Sequence, residues 1–98
     1  MINITIERTK KFKKELDLMT RRGKNPKKLK EVLDLLIENI SNELSDQLSL
    51  PTKYCLHKLS GKYNESWECH IEPDWLLIFY LDDEKLILER TGTHSDLF

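Results

Sequence analysis

Residues 75–81 read Trp-Leu-Leu-Ile-Phe-Tyr-Leu, an unbroken apolar run made largely of residues that favour β-structure. A run of this length, bounded by Pro73 on one side and by the acidic residues 82–84 on the other, predicts a deeply buried strand. Residues 82–84 form a tight connection, and residues 85–91 predict the next strand. The C-terminal half of the chain is therefore expected to be organised around the strand at 75–81.

A third strand precedes this run. Trp67, Cys69 and Ile71 alternate with charged or polar residues, which is the period-two pattern of a strand with one buried face. Pro73 interrupts the pattern, because proline cannot donate a ladder hydrogen bond. The three C-terminal strands together predict an antiparallel meander.

The N-terminal part changes from a strand pattern to a helical one. Isoleucines at 2, 4 and 6 alternate with polar residues and predict a first strand. Residues 9–22 predict a helix that Gly23 ends, and Asn25-Pro26 supply the N-cap and first residue of a second helix. The apolar positions at helical spacing are Phe12, Leu16 and Met19, then Leu29, Val32, Leu33, Leu36 and Ile40. Residues 41–51 are predicted to be the helix end and a loop.

The element order is thus β-α-α-β-β-β. It predicts an α+β fold in which a small antiparallel sheet, with the first strand added to it, carries the two N-terminal helices on one face. The length of 98 residues predicts a single domain over residues 1–98. No apolar run approaches the roughly 20 residues of a membrane span and no signal-peptide pattern is found, so the cytoplasm is the expected compartment.

Charge is unevenly distributed although the net charge is −1. Residues 1–30 hold eleven Lys and Arg against three acidic residues, a net +8, and the remaining 68 residues sum to −9. A segregated basic segment is typical of proteins with a polyanionic or acidic protein partner. A solvated lysine-rich helix face explains the same pattern, and composition alone leaves both interpretations open.

Cys69 and His70 are adjacent, but neighbouring residues of one strand point to opposite faces. A Cys–His nucleophile pair needs hydrogen-bond contact, so the sequence argues against one here. Cys55 and Cys69 are interpreted as small apolar packing residues in a reducing environment. The chain lacks the local Cys and His pairs typical of zinc sites, so neither a metal nor another cofactor is predicted.

The three histidines, His57, His70 and His94, all lie in the strand-rich half. Asp74, Arg90 and His94 fall at strand ends, where a meander with short connections brings them to one edge of the sheet face opposite the helices. Imidazoles titrate near neutral pH and share acid and base work, and arginine stabilises a charged phosphorane. This set of residues therefore favours phosphodiester chemistry.

The segments "HIEPDWLLIFYL" and "LERTGTHSDLF" resemble the YafQ-type mRNA interferase toxins of the RelE/ParE superfamily, from bacterial type II toxin–antitoxin systems. The likeness is close over residues 57–98 and compatible over the rest of the chain. It implies a RelE-like fold and a ribosome-dependent endoribonuclease that cuts mRNA in the A site. Its implied partners are the ribosome, mRNA and a cognate antitoxin, with operator DNA reached only through the antitoxin.

The resemblance also implies residue roles. The catalytic positions of the family fall on His57, His70, Asp74, Arg90 and His94, and the substrate-binding candidates are Phe98, Trp75 and Lys58. Phe98 is expected to stack on a base or to anchor the tail in the core. Trp75 opens a buried strand, so a packing role is expected for it ahead of substrate contact.

Two other functions remain open on the sequence. One is a non-catalytic binding module of the same fold, acting through antitoxin complex formation and autorepression. The other is the gyrase-inhibiting branch of the superfamily, which lacks the histidine set. The three histidines favour the nuclease over both.

Overall fold

The computed structural model describes residues 4–41, 50–59 and 66–98. A 3₁₀ turn, Thr52–Tyr54, follows the two long helices. The elements are β1 (Thr5–Arg8), α1 (Lys10–Arg21), α2 (Pro26–Ser41), β2 (His57–Lys58), β3 (Trp67–Glu72), β4 (Trp75–Asp82), β5 (Lys85–Gly92) and α3 (His94–Leu97). Within the described part of the chain, no helix is long and apolar enough to cross a membrane.

The sheet confirms the predicted α+β fold and corrects two of its details. The strand order is β1-β5-β4-β3-β2, and β3, β4 and β5 form the predicted antiparallel meander. However, β1 pairs with β5 in parallel, so the sheet is mixed rather than purely antiparallel. A two-residue strand, β2, also pairs with β3 and was not predicted, because two residues are too few for an alternation pattern.

Local capping explains where the two long helices begin. The Thr9 hydroxyl accepts a hydrogen bond from the Phe12 N–H at 3.0 Å and donates one to the Glu89 carbonyl at 2.8 Å. The first contact caps α1, and the second fixes its start to β5. Gly23 follows α1 with a φ of 95°, and the Asn25 side chain accepts from the Lys27 N–H at the start of α2. The predicted cap, proline and terminating glycine are confirmed.

The sheet is packed on both faces of β4. One cluster joins the inner faces of α1 and α2 to Trp75, Leu77 and Phe79. Leu76 and Ile78 face the other way and pack with Leu97 of α3. The buried strand predicted at 75–81 is confirmed, and the side of the sheet opposite the two long helices carries this small apolar patch.

The two cysteines differ. Cys69 is fully buried in the larger cluster, as predicted. Cys55 is exposed, so its prediction as a packing residue was wrong. It ends the 3₁₀ turn in the left-handed region, with a φ of 48°.

Two predicted segments fall partly outside the described residues: the start of the first strand, at Ile2, and most of the loop at 41–51. The C-terminal tail forms a helical turn, α3, which was not predicted from the sequence.

Candidate active site

The candidate site lies on the sheet face opposite α1 and α2. Cross-strand pairing joins His57 to Glu68, Glu68 to Ile78, and Ile78 to Arg90. Residues directly opposite one another on neighbouring strands share a face, so His57, Glu68 and Arg90 project from the same side of the sheet. Three interstrand steps of about 4.8 Å separate the first from the last, or about 14 Å at the Cα atoms.

The β3–β4 turn places Asp74 beside His94, the first residue of α3. Pro73 and Asp74 form a two-residue connection between β3 and β4, as the proline predicted. Asp74 Oδ1 accepts the His94 backbone N–H at 3.0 Å and contacts His94 Nδ1 at 2.8 Å. A carboxylate only accepts hydrogen bonds, so Nδ1 must carry a proton and Nε2 is the nitrogen left for chemistry.

The same contacts keep Asp74 ionised. The backbone N–H of His94, followed by its imidazole, lowers the pKa of the Asp74 carboxyl below its ordinary value. The Asp74 and His94 side chains are 63% and 55% exposed, so both are open to a substrate.

His70 stands next to His94. Their ring centroids are 5.5 Å apart in an edge-to-face arrangement, with 74° between the ring planes. His70 is the less accessible of the two, with 19% of its side chain exposed. The structure thus brings His70, Asp74 and His94, predicted from separate parts of the sequence, into one cluster.

Glu68 joins His57 to this cluster and was missed in the sequence. Its carboxylate Oε1 lies 3.4 Å from His57 Nε2 and 3.7 Å from His70 Nε2, and only 6% of its side chain is exposed. His57 Nδ1 donates to the Cys55 carbonyl at 2.8 Å, which orients the ring. The signal for Glu68 was its position two residues before His70, which puts both on one strand face.

Arg90 is bound by an acidic residue of α1. Its Nε lies 3.3 and 3.2 Å from the two carboxylate oxygens of Glu15, and its Nη2 also contacts that carboxylate. Both side chains are largely buried, at 15% and 17% exposure. Arg90 shares the site face through its strand register, but its guanidinium is held by α1.

The three predicted substrate contacts differ in accessibility. Phe98 is 64% exposed, which rules out a core anchor for the tail. Lys58 is exposed, with its Nζ 5.9 Å from the centre of the Trp67 ring. Trp75 is fully buried, and its Nε1–H donates to Thr91 Oγ1 at 2.8 Å. Direct substrate contact by Trp75 is incompatible with this burial, because the first residue of β4 faces the helix-side core.

Cys69 lies in the core on the opposite face from His70, as the strand alternation predicted. Burial raises the pKa of its thiol to about 12, so no thiolate forms near neutral pH. In the three described ranges, no group of three or more His, Cys, Asp and Glu side chains is arranged to hold a metal ion.

Known proteins resemble this chain over nearly its whole length. The family described as "Bacterial toxin of type II toxin-antitoxin system, YafQ" matches residues 4–98. The mRNA interferase toxin YafQ of Escherichia coli strain K12 is 41% identical over 98 residues, which is 100% of this chain and 99% of that protein.

Two solved structures extend the likeness to the fold. The crystal structure of YafQ from E. coli strain BL21(DE3) has a TM-score of 0.81 and 39% identity, covering 97% of this chain and 98% of that one. The E. coli DinJ–YafQ toxin–antitoxin complex gives 0.80 and 40%, with 99% of each chain covered. This chain therefore belongs to the YafQ family of bacterial toxins from type II toxin–antitoxin systems.

Proposed function

We propose that this chain is an mRNA interferase: a cytoplasmic endoribonuclease that cleaves mRNA in the ribosomal A site until its cognate antitoxin neutralises it. The observation that carries the proposal is the contact of His94 with both Asp74 and His70 on one exposed face. Removal of a proton from the 2′-oxygen and protonation of the 5′-oxygen need acid–base groups within hydrogen-bond reach of one substrate, and this face presents such groups together. The name of the E. coli relative, mRNA interferase toxin, supports the same chemistry.

In the proposed mechanism the reaction is an in-line attack of the ribose 2′-oxygen on the adjacent phosphate. A base from the group His57, His70 and Asp74 removes the 2′-OH proton, and His94 protonates the departing 5′-oxygen. The products are a 2′,3′-cyclic phosphate and a 5′-OH end. Each proton transfer contributes about 10²–10⁴-fold to the rate.

Asp74 has a further role in this scheme. Its carboxylate accepts the Nδ1–H of His94, so it holds the ring in place and stabilises the imidazolium that acts as the acid. Arg90 stabilises the charge that develops on the phosphate, and a base stacks on the exposed Phe98 ring. Lys58 follows His57 in β2 and projects from the opposite face, so its proposed contact with the RNA backbone is at the exposed β2 edge of the sheet.

The test is His94→Ala, compared with the wild type and with Lys85→Ala, an exposed change at the far end of β5. On induced expression, the wild type and Lys85→Ala should stop growth and leave new mRNA 5′ ends, whereas His94→Ala should do neither. Antitoxin binding by His94→Ala would show that the variant is folded. Full toxicity of that variant would overturn the proposed mechanism.

Ribosome dependence is tested separately with purified components. Cleavage of a defined mRNA should occur only when the codon is placed in the A site of a programmed ribosome. The upstream product should end in a 2′,3′-cyclic phosphate, and the downstream product should begin with a 5′-OH. Equal cutting of free mRNA would contradict this part of the proposal.

The same chain is proposed to bind a cognate antitoxin and, through it alone, operator DNA. The DinJ–YafQ complex supports antitoxin binding, since that structure shares 40% identity with this chain. If the chain bound antitoxin and repressed its operator but produced no mRNA cuts, the non-catalytic binding module would replace the nuclease as its function.

A further inference from the structure

Glu15 of α1 binds Arg90 at two points and has no part in the proposed mechanism. Both carboxylate oxygens of Glu15 lie within 3.3 Å of Arg90 Nε, and Nη2 contacts the same group. This two-point geometry fixes the plane of a guanidinium and not only its distance. The two residues are 75 positions apart in the chain, so the pair exists only through the fold.

Glu15 is itself held by the sheet. Its Oε1 accepts the backbone N–H of Thr91 at 3.3 Å. The pairing of β1 with β5 ends at Leu88. Beyond Leu88, Thr9 and a side chain of α1 bind the backbone of β5 in place of a neighbouring strand. Thr9 binds the Leu88 and Glu89 carbonyls, and Glu15 binds the next free N–H. The carboxylate is therefore fixed to the β5 edge independently of Arg90.

An arginine side chain without such a holder samples many rotamers. Arg90 projects from the site face of β5, where phosphate charge develops in the proposed cleavage. Because the carboxylate is anchored to the backbone next to Arg90, it sets the direction of the guanidinium before substrate arrives.

We propose that Glu15 is a positioning residue that orients Arg90 for the phosphate during cleavage, an inference that rests on the proposed endoribonuclease function. Its effect is on the cleavage step and not on docking to the ribosome. The alternative is that the Glu15 carboxylate competes with the phosphate for Arg90. In that case, removing the carboxylate would make cleavage faster.

The experiment measures single-turnover cleavage on programmed ribosomes, together with ribosome affinity, for Glu15→Ala and Glu15→Gln. Asp17→Ala is the matched control, because it removes one carboxylate from the same helix in an exposed pair with Arg21. Glu15→Ala should cleave about 10²-fold more slowly than Asp17→Ala, while both have the same ribosome affinity. Glu15→Gln keeps an acceptor for Thr91 and Arg90, so it should recover part of the rate.

A double-mutant cycle separates positioning from a general structural effect. In an Arg90→Ala background, Glu15→Ala should cause no further loss, because its effect passes through the guanidinium. An equal loss with and without Arg90, a wild-type rate, or a faster rate would each overturn the inference. Thermal unfolding of every variant confirms that folded protein is compared, and Glu15→Gln serves if Glu15→Ala fails to fold.

His94→Ala, assayed in parallel, distinguishes this inference from the function on which it rests. Loss of cleavage in His94→Ala with a wild-type rate in Glu15→Ala overturns the role of Glu15 alone. Wild-type cleavage by His94→Ala overturns the proposed mechanism and the role of Glu15 with it.

Discussion

At the residue scale, the Asp74 carboxylate serves two donors of one residue, the backbone N–H and the Nδ1–H of His94. A single oxygen thus fixes both the point where α3 begins and the orientation of the imidazole. Because these contacts lower the pKa of the Asp74 carboxyl, it stays ionised through the whole range in which a histidine titrates. The Nδ1 of His94 is thereby held by a negative charge, and Nε2 is the nitrogen left for the proposed protonation of the 5′-oxygen.

Trp75 follows Asp74 in the chain and is buried in the core. Its indole N–H donates to Thr91 Oγ1, and the Thr91 hydroxyl donates to the Leu76 carbonyl at 2.7 Å. Trp75→Phe removes this donor and leaves part of the indole volume empty. We expect it to lower the free energy of unfolding by about 2 kcal/mol, measured by urea denaturation.

Thr91→Val is the matched variant, since it removes the acceptor while keeping the shape of the side chain. Unchanged stability in Trp75→Phe would contradict the structural role. A Trp75→Phe protein that is folded but does not cleave mRNA would instead support direct contact between the indole and the substrate, against the burial of this residue.

At the element scale, the parts predicted from the sequence are those set by local periodicity. The strands at β3, β4 and β5 and the two long helices each repeat their apolar pattern over several residues, and burial of that pattern decides their type. The parallel pairing of β1 with β5 was out of reach, because a period of two is the same for either direction of pairing.

The candidate site was predicted in the same uneven way. The short connections at strand ends predicted Asp74, Arg90 and His94 at one edge, and His70 was added by the family resemblance. The Glu15–Arg90 pair was not predicted, because it joins residues 75 positions apart through the docking of α1. The helical turn α3 was missed although Thr93 and Asp96 have capping-box spacing, since four residues carry no periodicity.

The capping box of α3 gives a prediction at this scale. Asp96 Oδ2 accepts the Thr93 N–H at 2.9 Å and binds Arg22 Nη1 at 2.8 Å. These contacts, the Thr93 N–H first, lower the pKa of the Asp96 carboxyl to about 2. We expect Asp96→Ala to lower the free energy of unfolding at pH 7 by about 1 kcal/mol, the ordinary cost of removing a cap.

The pH dependence follows from the sign of this shift. The folded pKa lies below the ordinary value of 3.8, so the contribution of Asp96 is fully present above about pH 4 and is lost as the pH falls towards 2. Unfolding curves of the wild type and Asp96→Ala should therefore converge over that range, while Ser95→Ala, an exposed neighbour, should follow the wild type throughout. A difference as large at pH 2 as at pH 7 would show that the ionised carboxylate is not its source.

At the scale of the whole molecule, part of the basic N-terminal segment is exposed at the start of α1. Lys10, Lys11, Lys13 and Lys14, here called the α1 lysines, are exposed at the start of α1. Positive charge at a helix N-terminus opposes the helix dipole, and the first turn of α1 holds no acidic residue. Other lysines of the segment are paired, as Lys24 and Lys28 are with Glu72. An arrangement that costs helix stability supports a binding role for the α1 lysines, and the proposed function gives them ribosomal RNA as a partner.

The last prediction tests that role. Changing Lys13 and Lys14 to alanine should weaken binding to ribosomes and reduce the slope of log K against log salt concentration by about 1 for each phosphate that the variant no longer binds. Thermal stability should be unchanged or slightly raised, because two charges that oppose the helix dipole are removed. Binding is measured at several salt concentrations, with Lys85→Ala as a control that removes one charge from the acidic part of the chain. If the slope stays the same while antitoxin affinity falls, the α1 lysines face an acidic segment of the antitoxin, and the ribosome must be held by another surface.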